Sequence, residues 1–247
     1  MDDCWILVSQ PEKGMNNMTT RYSKALTAVA AVFTLGASAM AGVVYDNTAA
    51  ASYSGWSQFS TYEFGDQVTL EGNQRGLETF SFDYYLNAKS GNESISFNLY
   101  RNDGVNGAPG TSLLPGGASM IVPALNADPI TPSTVVISFD PTIPGHPFNI
   151  TLPDTFTWTV LFGGIDAGES AGLLVYNPVT TGFSYNDFWD RSGPGNTWQT
   201  KLGAGFNANF GAKITAVPEA GTLGYALLGS LLWIGMAGYR RSAGKQA

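Results

Sequence analysis

Cysteine is almost absent from this chain. Among 247 residues there is one cysteine, Cys4, and one histidine, His146. With its only thiol near the N-terminus, the rest of the chain has no disulfide, so its stability must come from packing. One histidine and one thiol exclude a Cys–His pair beyond the N-terminus and any multi-histidine metal centre. His146 sits in Pro144-Gly145-His146-Pro147, which reads as an exposed loop, and a Ser–His–Asp triad through it is not expected. Charge is also scarce, at 13% of residues. Between Gly42 and Val217 there are 15 acids against 6 bases, a net charge near −9. That balance excludes attraction to nucleic acid or to anionic lipid. No phosphate-cradling loop is expected, because Gly104 to Gly110 contains no lysine and is not followed by a helix pattern.

Long helix-period patterns are also missing from this middle segment, and period-two alternation takes their place. Phe80, Phe82 and Tyr84 fall on one face of 77–86, and Ile95, Phe97 and Leu99 on one face of 94–100. Further strands are expected at 67–70, 134–139, 156–162, 172–176 and 206–214. Turn clusters rich in Gly, Pro, Asn and Asp separate them, as at 101–110 and 140–147. Eight to ten short strands in about 175 residues predict one all-β domain, an antiparallel, jelly-roll-like β-sandwich over 42–216.

Both ends of the chain read as addresses. Arg21 and Lys24 precede an apolar run from Ala25 to Ala37, followed by Ala39-Met40-Ala41. A short apolar run closed by small-x-small is the pattern of a signal peptide. Residues 1–41 are therefore expected to be removed by signal peptidase at Ala39, Ala41 and Gly42. A transmembrane anchor is the alternative. Asp2, Asp3 and Glu12 do not suit a basic n-region, and Met15 or Met18 is the more ordinary start. At the other end, Val217-Pro218-Glu219 precedes an uncharged stretch, Gly221 to Tyr239, and then Arg240-Arg241. Nineteen residues at about 1.5 Å each make roughly 28 Å of helix, close to the ~30 Å hydrocarbon core. The basic pair keeps the C-terminus cytoplasmic and everything before 221 outside. A buried core helix, or a permanent anchor without processing, are the alternatives.

The order of those three parts resembles the PEP-CTERM sorting signal of Gram-negative surface and secreted proteins. Ala220 stands where that signal usually has a second proline. The resemblance implies that 217–247 is a sorting tail read by an exosortase-type membrane peptidase, with the membrane as a transient anchor. It also implies an organism that makes an exopolysaccharide matrix. Phe97-Asn98-Leu99-Tyr100-Arg101-Asn102-Asp103-Gly104, followed by Gly107-Ala108-Pro109-Gly110, is similar to the "choice-of-anchor" β-sandwich ectodomains found ahead of such tails. That likeness implies a fold and supplies no catalytic residues.

Two segments are candidates for ligand chemistry. The turn Asn102-Asp103-Gly104-Val105-Asn106-Gly107 offers Asn102, Asp103 and Asn106 as oxygen ligands for calcium. It lacks a closing bidentate glutamate, and plain hairpin chemistry explains it equally well. No other cofactor is expected. The segment Tyr185 to Trp198 gathers aromatics, acids and an arginine. Trp189, Trp198, Asp187 and Arg191 suit glycan contact. Alternatively, Phe188 and Trp198 are core residues beneath a long loop. Glu63, Glu78, Glu93 and Glu169 are the acids available for two-carboxylate glycosidase chemistry. The expected function is an exported surface or matrix protein, structural or adhesive and not an enzyme, held in exopolysaccharide. The alternative is a carbohydrate-binding module or glycan-active enzyme.

Overall fold

Alternation along 77–86 becomes the longest strand among the described residues, Gly76–Asn87, and three other strands pair with it. The computed structural model describes residues 41–48, 53–58, 61–87, 91–117, 119–123, 133–139, 149–202 and 208–219. These lie in one unit, 40–220. The apolar span at 221–239, Arg240, Arg241, His146 and most of the signal segment, Ala39 included, lie outside the described residues.

One sheet contains β1 (Gly42–Asp46), β2 (Tyr53–Gln58), β4 (Gly76–Asn87), β7 (Ser133–Ser138), β9 (Ser170–Tyr176) and β13 (Ala212–Val217). Its order is β1-β13-β4-β9-β2, with β7 also paired to β4. The second sheet contains β3 (Phe64–Thr69), β5 (Ser94–Arg101), β6 (Met120–Pro123), β8 (Thr155–Gly163), β10 (Phe183–Ser184), β11 (Asp187–Gly193) and β12 (Thr197–Leu202). Its order is β12-β11-β3-β8-β5-β6, with β10 paired to β3. All these pairings are antiparallel. Among the described residues there is no α-helix, only 3-10 turns at Val105–Gly107 and Pro115–Gly117.

The expected inward faces are the observed ones. Phe80, Phe82 and Tyr84 of one sheet are buried, as are Ile95, Phe97 and Leu99 of the other. The Phe82 and Phe97 rings stack at 5.8 Å and 6°, and Phe80 meets Trp158 at 5.3 Å. These contacts join the two sheets through their inner faces, an all-β arrangement consistent with a β-sandwich. Trp158 is fully buried and also meets Phe210 edge-on, at 6.4 Å.

Among the described residues there are thirteen strands where eight to ten were expected. Most of the additional ones are short or polar. The 185–198 segment is not a long loop: β11 and β12 form a hairpin closed through Gly193–Thr197. Phe188 does enter the core, but Trp198 is only half-buried, on the outer face.

Candidate functional site

The outer face of the second sheet carries the polar half of each alternation. On β3, Phe64, Asp66 and Val68 are buried while Gln67 and Thr69 are half-buried. Register then fixes the outer neighbours. Trp189 lies opposite Thr200 on one side and Gly65 on the other. Gly65 lies opposite Thr159, which lies opposite Asn98. Gly65 has no room for a side chain, since a Cβ there would run into the Trp158 carbonyl. Trp189 donates its indole N–H to Gln67 Oε1 at 3.3 Å, which ties the ring to the central strand.

A cavity of about 590 Å³ opens on this face. Gln67, Asn106, Tyr185, Asp187, Trp189 and Trp198 line it, with Val105, Gln199 and Thr200. The two segments singled out in the sequence thus meet here, the turn after β5 and the β11–β12 hairpin. Trp189, Trp198 and Asp187 share the cavity wall, and Arg191 sits behind Trp198 with its guanidinium carbon 5.5 Å from the ring centroid.

Arg191 reaches that position because β11 bulges. Asp190 pairs with Gln199 and Gly193 with Thr197, so two residues, Arg191 and Ser192, face the single Trp198. The Asp190 carboxylate accepts the Ser192 N–H at 2.7 Å and closes the bulge. Arg191 then donates to Glu63 Oε2 at 3.1 Å. Glu63 is the residue whose role the sequence did not reveal. It was visible only as one acid among several, yet it is buried at the centre of a polar cluster. Its Oε1 accepts from Asn98 Nδ2 at 2.9 Å, Tyr100 OH at 3.0 Å and Thr159 Oγ1 at 2.6 Å. Burial, with Glu63 alongside, pushes the Tyr100 phenol well above its ordinary range. The Tyr100 ring meets Trp198 edge-on at 5.8 Å. Glu63 therefore holds Trp198 from two sides, through Arg191 and through Tyr100.

The turn at 102–107 is closed by its own groups. Gly107 N–H donates to the Gly104 carbonyl and Ala108 N–H to that of Val105. Asp103 Oδ1 accepts the Thr111 N–H at 2.7 Å, and that bond, the largest cause, holds its carboxyl below the usual range. Asn102 Oδ1 accepts Thr157 Oγ1 at 2.7 Å. Asn106 takes the left-handed φ of 58° and lines the cavity. Asn102, Asp103 and Asn106 thus have three different positions and tasks. Among the described residues no three His, Cys, Asp or Glu side chains converge as a metal site.

The other acids are engaged separately. Glu78 accepts from Thr215 Oγ1, Glu93 from Gly91 N–H and Glu169 from Asp166 N–H. A Gly-x-Ser-x-Gly pattern does occur, at Gly168-Glu169-Ser170-Ala171-Gly172. It does not build a nucleophile elbow, because Ser170 opens an antiparallel strand and no helix follows. Its hydroxyl lies 3.4 Å from Tyr85 OH.

At the domain's ends, β1 begins at Gly42 and β13 finishes at Val217, with Gly42 opposite Ala216. Ala41 precedes that pair, and Pro218 and Glu219 follow it outside any strand. Among the described residues no helix is long and apolar enough to cross a membrane. No family model, curated protein or solved structure matches this chain. The geometry and the sequence are therefore the grounds for assigning a function.

Proposed function

We propose that this chain is an exported bacterial surface or matrix protein that holds exopolysaccharide in the outer groove of its second sheet. In this reading 1–41 is a signal peptide and 42–216 a jelly-roll-like sandwich. Residues 217–247 are a PEP-CTERM tail with a membrane helix at about 221–239. The tail parks the domain at the bilayer while an exosortase-type peptidase acts near Val217-Pro218-Glu219.

The observation that carries the adhesive role is the shared cavity of Trp189, Trp198 and Asp187. A pyranose has apolar C–H faces and a polar rim. Indole rings supply the stacking surface, and Gln67, Asn106, Gln199 and Thr200 supply donors and acceptors for hydroxyls. Rigid support favours such a site, because less side-chain order is lost on binding. The Glu63 cluster behind Trp198 and the Gln67 bond to Trp189 provide it.

The test is retention in the matrix. Trp189→Ala and Trp198→Ala should both be exported at normal levels and then shed from matrix polysaccharide into the medium. Full retention of both variants would overturn the adhesive reading.

A further inference from the structure

Among the described residues one charged side chain, Asp187, lines the cavity, and its sign restricts the sugar. Tyr185, Trp189, Trp198 and Asp187 line the same space. No hydrogen bond or ion pair from a described residue engages the Asp187 carboxylate. Of the two bases on the hairpin, Arg191 is paired with Glu63, and Lys201 donates to Oε1 of the lining residue Gln199 at 3.3 Å. Asp187 pairs across the hairpin with uncharged Leu202. The whole segment from Gly42 to Val217 is acidic, 15 acids to 6 bases.

We infer that the groove selects amine-bearing sugars, with the indoles taking the pyranose and Asp187 taking its protonated amine. This rests on the glycan-binding reading above and adds the chemical class of the sugar. The partner is a polymer of partly deacetylated amino sugars. Aromatic faces attract a cation through the ring quadrupole, and a carboxylate adds a charge-assisted hydrogen bond. A uronic acid reverses both terms, placing its carboxylate beside Asp187 inside a domain of the same sign. An N-acetylated sugar retains stacking and hydroxyl bonds but loses the ionic contact.

The test uses the full-length chain and three oligosaccharides of equal length: glucosamine, N-acetylglucosamine and a uronate. Binding is measured calorimetrically in mild acid, where the amine is charged. The glucosamine oligomer should bind about tenfold more tightly than the acetylated one. High salt should narrow that gap. Asp187→Asn keeps the side chain's shape; it should abolish the preference while retaining the acetylated ligand. Trp189→Ala should weaken both amino-sugar oligomers. Equal affinity for amine and acetyl forms, preferential uronate binding, or a preference that survives Asp187→Asn overturns the inference and leaves the glycan reading standing. If no oligomer binds, or Trp189→Ala changes nothing, the glycan reading falls as well.

Discussion

Removing the Glu63 carboxylate should be among the most damaging single changes on the outer face of the second sheet. Three neutral donors converge on its Oε1, from Asn98, Tyr100 and Thr159, and two of those side chains belong to buried residues. A net hydrogen bond to a charged group contributes about 1.5–3 kcal/mol, and orphaning buried donors adds desolvation cost. The three contacts are coupled, so they do not simply add. The Arg191 ion pair adds little, because the guanidinium side chain is 38% exposed and solvent screens it. Glu63→Ala should therefore cost about 3–5 kcal/mol. In a domain of about 175 residues, each kcal/mol lowers Tm by roughly 2–4 °C. Glu63→Gln keeps an acceptor for the three donors and should cost about half as much. The assay is thermal and urea unfolding followed by near-UV circular dichroism, in a double-mutant cycle with Arg191→Ala. Coupling between positions 63 and 191 should stay below about 1 kcal/mol. If Glu63→Ala lies within about 1 kcal/mol of the parent, or the pair couples by several, the cluster does not work as described.

Other outcomes follow from the same geometry. Burial raises the Asp66 carboxyl well above the ordinary carboxylate range. Its unfolded form loses its proton first, so its contribution is intact below the ordinary carboxylate pKa and is lost as pH rises through the folded value. Asp66→Asn should flatten that part of the pH–stability curve, measured by urea midpoints from mild acid to mild base. Asp46 works in the opposite direction. Burial opposes its ionisation, but Thr48 and Lys213 outweigh burial and hold the carboxyl low, so its contribution is lost as pH falls through the folded value. Phe82→Ala, at the stacked contact between the sheets, should cost about 3–5 kcal/mol in the same urea assay. Bulky residues at Ala39 and Ala41 should cause precursor to accumulate on immunoblots. Altering Pro218 and Glu219 while keeping 221–239 should hold the protein in the inner membrane. Its normal arrival at the surface would reduce the tail to a plain anchor.

The inward half of the fold was legible in the sequence, and the outward half was not. Phe80, Phe82 and Tyr84 alternate with polar residues against a dry core, and such a face can be read from one strand alone. The outer face gives no such signal. Gln67, Thr159 and Asn98 look like solvated polar positions until the register brings them beside Trp189 or Glu63. Glu63 meets Thr159 across 96 positions and Arg191 across 128, and no local pattern encodes that distance. The β11–β12 hairpin was missed because its bulge interrupts the alternation between Asp190 and Gly193. Trp189 and Trp198 were still worth naming, since aromatics among acids in a polar stretch call for an explanation. What the sequence could not supply was the partner across the gap, the turn bearing Asn106.

The position of β13 has a mechanical consequence. It lies between β1 and β4, paired to β4 from Ala212 to Val217 and to β1 from Lys213 to Ala216. A pull at Pro218 along the strand therefore loads two ladders in shear, and their hydrogen bonds must yield together rather than unzip one at a time. If the cavity on the opposite sheet holds a polymer as proposed, a load from it reaches β13 across the aromatic contacts between Phe82, Phe97 and Trp158. In that reading the drag of a bound polymer is shared by the inter-sheet packing and both ladders of β13, and no single strand edge carries it alone.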